Sequence, residues 1–152
     1  MSNYNIQKSS IVNVKFGKNI KIVDPVNLYN CLINDEVFIG PFVEIQSNVN
    51  IGKNTRIQSH SFICDGVTIG NNCFISHGVI FTNDDFKQGK PSGKDNLKKT
   101  RVGNNVSIGS NATILPINIC EDVVIGAGSV VTKDIKISGI YAGNPAKFLR
   151  KI

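Results

Sequence analysis

Isoleucine stands at Ile33, Ile39, Ile45, Ile51, Ile57, Ile63, Ile69 and Ile75, eight times in succession at a spacing of six, and Phe81 makes a ninth beat. Four residues after each isoleucine comes a second apolar or small residue: Val37, Val43, Val49, Thr55, Ser61, Val67, Cys73 and Val79. Gly, Asn and polar residues fill the gaps, as in "IGKNT" and "IGNNC". A period of six fits neither a helix nor a simple alternating strand. It suits a short strand followed by a tight turn. Isoleucine is stiff at its first side-chain torsion and favours strand. Gly and Asn tolerate the left-handed backbone angles of the turn. Three such units close a triangular coil, and coils stack at the inter-strand spacing of about 4.8 Å around a column of isoleucines. An ordinary β-sandwich has longer and less regular turn spacing.

The beat breaks once. After Phe81 comes "TNDDFKQGKPSGKDNLKKT", and the period returns at Val102, Ile108 and Ile114, takes one five-residue step to Ile119, and continues at Ile125 and Val131. A coil corner can extrude a loop without disturbing the stack, because each coil contacts only its neighbours. Residues 82–100 are read as such a loop. Its lysines, Lys87, Lys90, Lys94, Lys98 and Lys99, fit a solvated surface or the wall of a binding cleft against a neighbouring subunit. Before Ile33 the pattern is less regular. Ile20 and Val26 are read as keeping the beat, with a one-residue shift before Ile33.

Register places the polar residues. Asp65 and Asn83 are 18 apart and stack on one side of adjacent coils. His60 and His77 are 17 apart, near a different corner. One side of the triangle is about 16 Å of strand, so the histidines and the "TND" group are not expected to meet within one subunit unless the loop distorts the coil, whereas a subunit boundary could bring them together. The five-residue step makes one coil 17 residues long, which puts Gly109 above Gly126 and Ser110 above Ala127. Small residues in adjacent coils leave backbone amides open to a ligand.

Composition narrows the class. The chain has 152 residues, the size of one domain, and is 41% apolar. No run approaches a membrane span and the first residues lack a signal-like apolar stretch, so a cytoplasmic protein is expected. The four cysteines, Cys31, Cys64, Cys73 and Cys120, have no C-x-x-C spacing. With two histidines they suggest neither a zinc site nor a disulfide frame. The net charge of +6 suits partners carrying phosphates. Without tryptophan or an aromatic-rich basic motif, no nucleic acid partner is expected.

The pattern resembles the hexapeptide-repeat, left-handed β-helix acyltransferases over roughly residues 12–147, down to the ending "IGAGSVVTKDI…YAGNPAKFLRKI". The left hand follows from this resemblance, not from the spacing. The implied fold is all-β: a left-handed parallel β-helix over 1–140 with the extruded loop 82–100, then a short C-terminal segment over 141–152. A short helix is expected to start near Pro145. The stretch "IQSHSFICDGVTIGNNCFISHGVIFTND" looks like the N-acetyltransferases of nucleotide-linked amino sugars, especially a 3-amino-3,6-dideoxyhexose on dTDP. A related branch acts on a UDP-linked 3-amino uronic acid. The resemblance implies a homotrimer with clefts between subunits, a role in surface-glycan biosynthesis, and a sugar pocket lined by Ser59 and His60, His77 and Gly78, and Phe81 to Asp84.

The implied reaction is acetyl transfer from acetyl-CoA to an amine. It needs orientation, an oxyanion donor and a route for the proton, but no metal. His77 is the first candidate base and His60 the second, with Asn83 or Asp84 holding the amino group. His60, Asp65, Phe81 and Asn83 are candidates for binding the sugar. Gly109, Ser110, Gly126 and Ala127 would hold CoA, with Lys133, Lys147 and Arg150 toward its phosphates. The alternatives are plain. Exposed turn histidines, turn Asn and Asp, and surface lysines are all common, and the departing thiolate can itself collect the proton. Other functions on this fold are an O-acetyltransferase or a non-catalytic assembly module. A γ-type carbonic anhydrase needs three histidines per zinc, one more than the chain has.

Overall fold

The computed structural model describes residues 10–152. The first nine residues of the expected 1–140 domain, and with them most of the expected signal-free N-terminus, lie outside the described residues. The rest winds as a three-sided parallel β-solenoid of about seven turns, consistent with a left-handed β-helix. Its first face runs from Ile11–Val12 through Asn27–Tyr29, Glu44–Ile45, Phe62–Ile63, Ile80–Phe81 and Thr113–Ile114 to Val130–Val131. The second runs from Lys15–Phe16 to Asn118–Ile119, and the third from Lys21–Ile22 to the C-terminus.

The hexads explain each strand. Ile45 pairs with Ile63, Ile51 with Ile69, and Ile57 with Ile75, each one coil apart. All six are at most 1% exposed. The second apolar position is buried as well, including Thr55 and Ser61, whose hydroxyls donate to the backbone oxygens of Gly70 and Ser76. The corners take positive φ, and among the described residues eight of the non-glycine positions that do so are asparagine, a residue type that tolerates this geometry. Asn54, Asn72, Asn105 and Asp122 form a side-chain ladder up one corner.

Two expectations change. In the first coil Ile20 and Val26 do not carry the beat. The residues in register with the isoleucine column are Phe16 (itself exposed), Ile22 and Leu28, which pair with Ile33, Ile39 and Ile45. Both positions of a hexad face the core, so either apolar series reads equally well, and only strand pairing separates them. The interval before Ile33 is a five-residue step from Leu28. At the other end, no helix follows Pro145. Lys147–Arg150 is a strand antiparallel to Gly139–Ala142. The last parallel strand leaves an open edge, and the returning chain satisfies it. Phe148 packs edge-on against Tyr141 at 5.4 Å between ring centroids. Six residues of helix would have had too few internal bonds to compete.

The loop leaves the ladder after Thr82, whose amide still donates to the Ile114 oxygen. Val67 pairs with Thr100 and Ile69 with Val102 beyond it, so the stack resumes in register.

Candidate active site

The sequence-predicted residues fall on two corners. Where the third face turns into the first, successive coils contribute 58–61, 76–79, 109–112 and 126–129. Backbone bonds from Gly78 N to Ser59 O, Asn111 N to His77 O, and Gly128 N to Ser110 O tie these turns together. His77 therefore shares its corner with Ser110 in the next coil and Ala127 in the one after. Register arithmetic expected Gly109 above Gly126; the structure pairs Ile108 with Ile125 and binds Gly109 N to Ile125 O at 2.8 Å. That the histidines and the small-residue groove share one corner was not evident from the sequence.

His77 is exposed, and its Nδ1 lies 2.8 Å from the Ser59 hydroxyl oxygen. His60, one coil lower, stacks on Phe42 with centroids 4.8 Å apart and 30° between planes. Along the groove, a side chain at Gly109 would strike the Ala127 backbone nitrogen at 2.4 Å, whereas at Gly128 it would meet open space. The segment 143–146 crosses the top of this corner, with Gly143 N donating to Ser129 Oγ and Ala146 N to Val130 O. Lys147 follows, paired with Ala142, whose Cβ sits over Gly126.

The other corner, between first and second faces, carries Asp65, Asn83 and the loop. Asn83 Nδ2 donates to the Asp65 carbonyl at 3.4 Å, and Asn48 Nδ2 donates to the Asp65 carboxylate. Asp84 is committed within the loop. It accepts from Ser92 N at 2.6 Å, from Ser92 Oγ at 2.8 Å and from Phe86 N at 2.9 Å. These bonds, the Ser92 amide first, hold its carboxyl below the usual carboxylate range. Asp85 pairs with Lys98 and, at 3.6 Å, with Lys87. The Lys98 bond lowers the Asp85 carboxyl and raises the ammonium in return. With Lys98 N bonded to Asn83 O, the excursion is closed at its root.

This arrangement puts Phe86 beside an open cleft of about 250 Å³. Gln46, Phe62, Cys64, Ile80 and Asn83 also line it. Phe81 reaches its wall while filling the core column, fully buried. Burial pushes the Cys64 thiol up to about 12, so it is no nucleophile at neutral pH. A second cleft, about 490 Å³, holds Lys87, Lys98, Lys133 and Lys136 with Asp85 and Asp134. Lys133 therefore belongs to the loop corner, away from the groove of its own chain, whereas Lys147 stays beside that groove. Phe86 and Ser92 carried no expectation from the sequence, and Ser59 only that of lining the sugar pocket. Only Ser59 carried a signal: it lies 18 residues before His77, one coil length. Among the described residues no group of three or more His, Cys, Asp and Glu is placed to hold a metal ion.

The chain matches two repeat families. Residues 30–65 and 48–83 fit "Bacterial transferase hexapeptide (six repeats)", and residues 99–133 fit "Hexapeptide repeat of succinyl-transferase". Together they span more than half the chain. A probable macrolide acetyltransferase from Lysinibacillus sphaericus is 45% identical over 53 residues, 34% of this chain and 29% of that protein. The match thus spans less than a third of that relative's length. A maltose O-acetyltransferase from Clostridium difficile 630 superposes with a TM-score of 0.65 at 26% identity, over 90% of this chain and 70% of that one. AntD, an N-acyltransferase from Bacillus cereus solved as a mutant with dTDP and coenzyme A, superposes with a TM-score of 0.71. It is 22% identical over 93% of this chain and 85% of that one, a likeness of fold.

Proposed function

We propose, from the premise that this chain belongs to the hexapeptide-repeat transferase family, that it is an acetyl-CoA-dependent N-acetyltransferase acting on a nucleotide-linked amino sugar. The favoured acceptor is a 3-amino-3,6-dideoxyhexose on dTDP. The observation that carries this reading is the shared corner: among the described residues, the one histidine with a hydrogen-bonded side chain stands on the same corner as the small residues Gly109, Ser110, Gly126 and Ala127. The expected open amides are not free, since Gly109, Gly126 and Gly128 donate to Ile125, Tyr141 and Ser110; the room for a pantetheine arm lies at Gly128, where an added Cβ would meet nothing within 4 Å.

In this reading the sugar amine attacks the thioester carbonyl, a tetrahedral oxyanion forms, and the thiolate leaves. His77 Nε2 takes the proton of the attacking nitrogen and returns it to the sulfur. Asn83 and Asp65, joined across adjacent coils, bind sugar polar groups. Asp84 shapes the site by holding the loop, with a remaining lone pair for the amino group. Phe86 and Phe62 offer apolar surface to the sugar ring. His60, stacked on Phe42, borders the pocket from below. Since the two corners are separate faces' ends in one chain, a homotrimer would bring the loop of one copy to the His77 groove of the next. Lys133 then approaches the coenzyme phosphates of a neighbouring copy's groove, and Lys147 those of its own.

A panel of nucleotide-linked amino sugars and of hydroxyl acceptors such as maltose, each with acetyl-CoA, tests the reading through free-thiol release. Release with an amino sugar is expected. Release with hydroxyl acceptors alone would replace this reading with the O-acetyltransferase one, which the maltose enzyme's likeness supports.

A further inference from the structure

Over five coils the corner that carries His77 reads GPFV at 40–43, QSHS at 58–61, SHGV at 76–79, GSNA at 109–112 and GAGS at 126–129. In these five turns His60 and His77 are the only ionisable residues, and the turn beneath them, 23–26, adds Asp24. The strands that run into and out of these turns present two outward charges, Arg56 and Glu44. Arg56 lies over the Phe38 ring at 4.6 Å, and Glu44 accepts from Gln46 Nε2. Among the described residues neither Glu44 nor Asp24 hydrogen-bonds to either imidazole. The two rings differ in what holds them. His60 is stacked on Phe42 and makes no side-chain hydrogen bond among the described residues. His77 alone has a polar partner, the Ser59 hydroxyl at 2.8 Å.

We infer that Ser59 is the positioning residue of His77: its oxygen accepts the Nδ1 proton, which leaves Nε2 unprotonated and directed to the groove. The inference rests on the proposed role of His77 as proton acceptor. Ser59 is well placed for the task because its own turn is pinned. Its carbonyl accepts from Gly78 N at 3.0 Å, and Gln58 N before it donates to Ile75 O at 2.8 Å. Below, a Cβ at Gly40 would come within 2.8 Å of Ser59 N, so the turn sits close on the coil beneath. An exposed imidazole without a partner samples both tautomers and several rotamers, and only the Nδ1–H form can accept a proton at Nε2. In the reaction the amine proton passes to Nε2 while Nδ1–H stays hydrogen-bonded to Ser59. The Nε2 proton then leaves with the thiolate as the thiol. Ser59 exchanges no proton. A neutral partner does not trap the imidazolium as a carboxylate would, which suits a residue that must give the proton back.

Two histidines in the chain make the test direct. Long-range proton–nitrogen NMR correlations report the tautomer of each ring, with His60 as internal control. In the native protein His77 is expected as the Nδ1–H tautomer. In Ser59→Ala it is expected to shift toward Nε2–H with His60 unchanged, and Ser59→Thr, which keeps the hydroxyl, restores it. Under turnover Ser59→Ala is expected to lower kcat about tenfold, the size of one oriented hydrogen bond, with KM for both substrates within about twofold. A native His77 in the Nε2–H form, or a Ser59→Ala protein with unchanged tautomer and kcat, would overturn the assignment. A tautomer shift in Ser59→Ala together with full activity in His77→Asn would support the Ser59–His77 pairing and overturn the proton-acceptor role on which catalysis by His77 rests.

Discussion

Adjacent residues on one strand should differ sharply in what they contribute, and Ile69 with Thr68 makes the measurement. Ile69 is 1% exposed and pairs with Ile51 below and Val102 above. Thr68, its neighbour, is exposed. Ile69→Ala removes three carbon groups from the column, about 2.4 kcal/mol of transfer free energy at about 0.8 kcal/mol each. The coils above and below are locked by parallel ladders and cannot collapse into the gap, so a cavity term adds to it, giving about 3–4 kcal/mol. For a chain of this length that lowers Tm by roughly 10 °C. Thr68→Ala removes nothing from the core and should stay within about 0.5 kcal/mol. Urea unfolding followed by circular dichroism measures both. A cost below about 1 kcal/mol for Ile69→Ala, or equal costs for the two variants, would refute a prism whose core is filled by the isoleucine column.

Thr100 is fully buried at a core position, and its Oγ1 finds no hydrogen-bond partner among the described residues. Thr100→Val keeps the shape and should raise stability by about 1 kcal/mol, read in the same urea assay. Asp84→Ala should open the loop and raise KM for the acceptor several-fold while KM for acetyl-CoA holds, as measured by initial rates. Because the Asp84 carboxyl is lowered by its Ser92 and Phe86 bonds, its support of the loop is complete above the ordinary carboxylate value of 3.8. That support fades as pH falls through the depressed value. Protection of the Ser92 and Phe86 amides, taken relative to their intrinsic exchange rate at each pH, should fall over that acidic window, and unchanged protection would count against the strut. Coenzyme A at about 100 times its Kd should stabilise the protein by about 2.7 kcal/mol through mass action. No thermal shift with CoA would favour a non-catalytic assembly module.

By itself the amino-acid order determined the winding. Isoleucine every sixth place with Gly or Asn between leaves one way to bury the apolar set, and the 18- and 17-residue intervals already place Asn83 against Asp65 and Gly109 above Gly126. Those are local, periodic facts, so they survive translation into one dimension. The first coil was less legible, since Val26 and Leu28 both face inward and composition does not rank them. The C-terminal strand was invisible because its reason for being is an unpaired edge at 139–142, a property of the stack rather than of "AKFLRK". The site shows the same division. Hexad counting finds His77 but not that Ser59 faces its Nδ1, that Asp84 spends its oxygens on Ser92 and Phe86, or that Lys133 stands on a different corner from Gly126. Each of these depends on a side-chain direction or a loop closure, which short-range spacing does not encode. Only the folded stack, where residues a full coil apart come within hydrogen-bond reach, decides them.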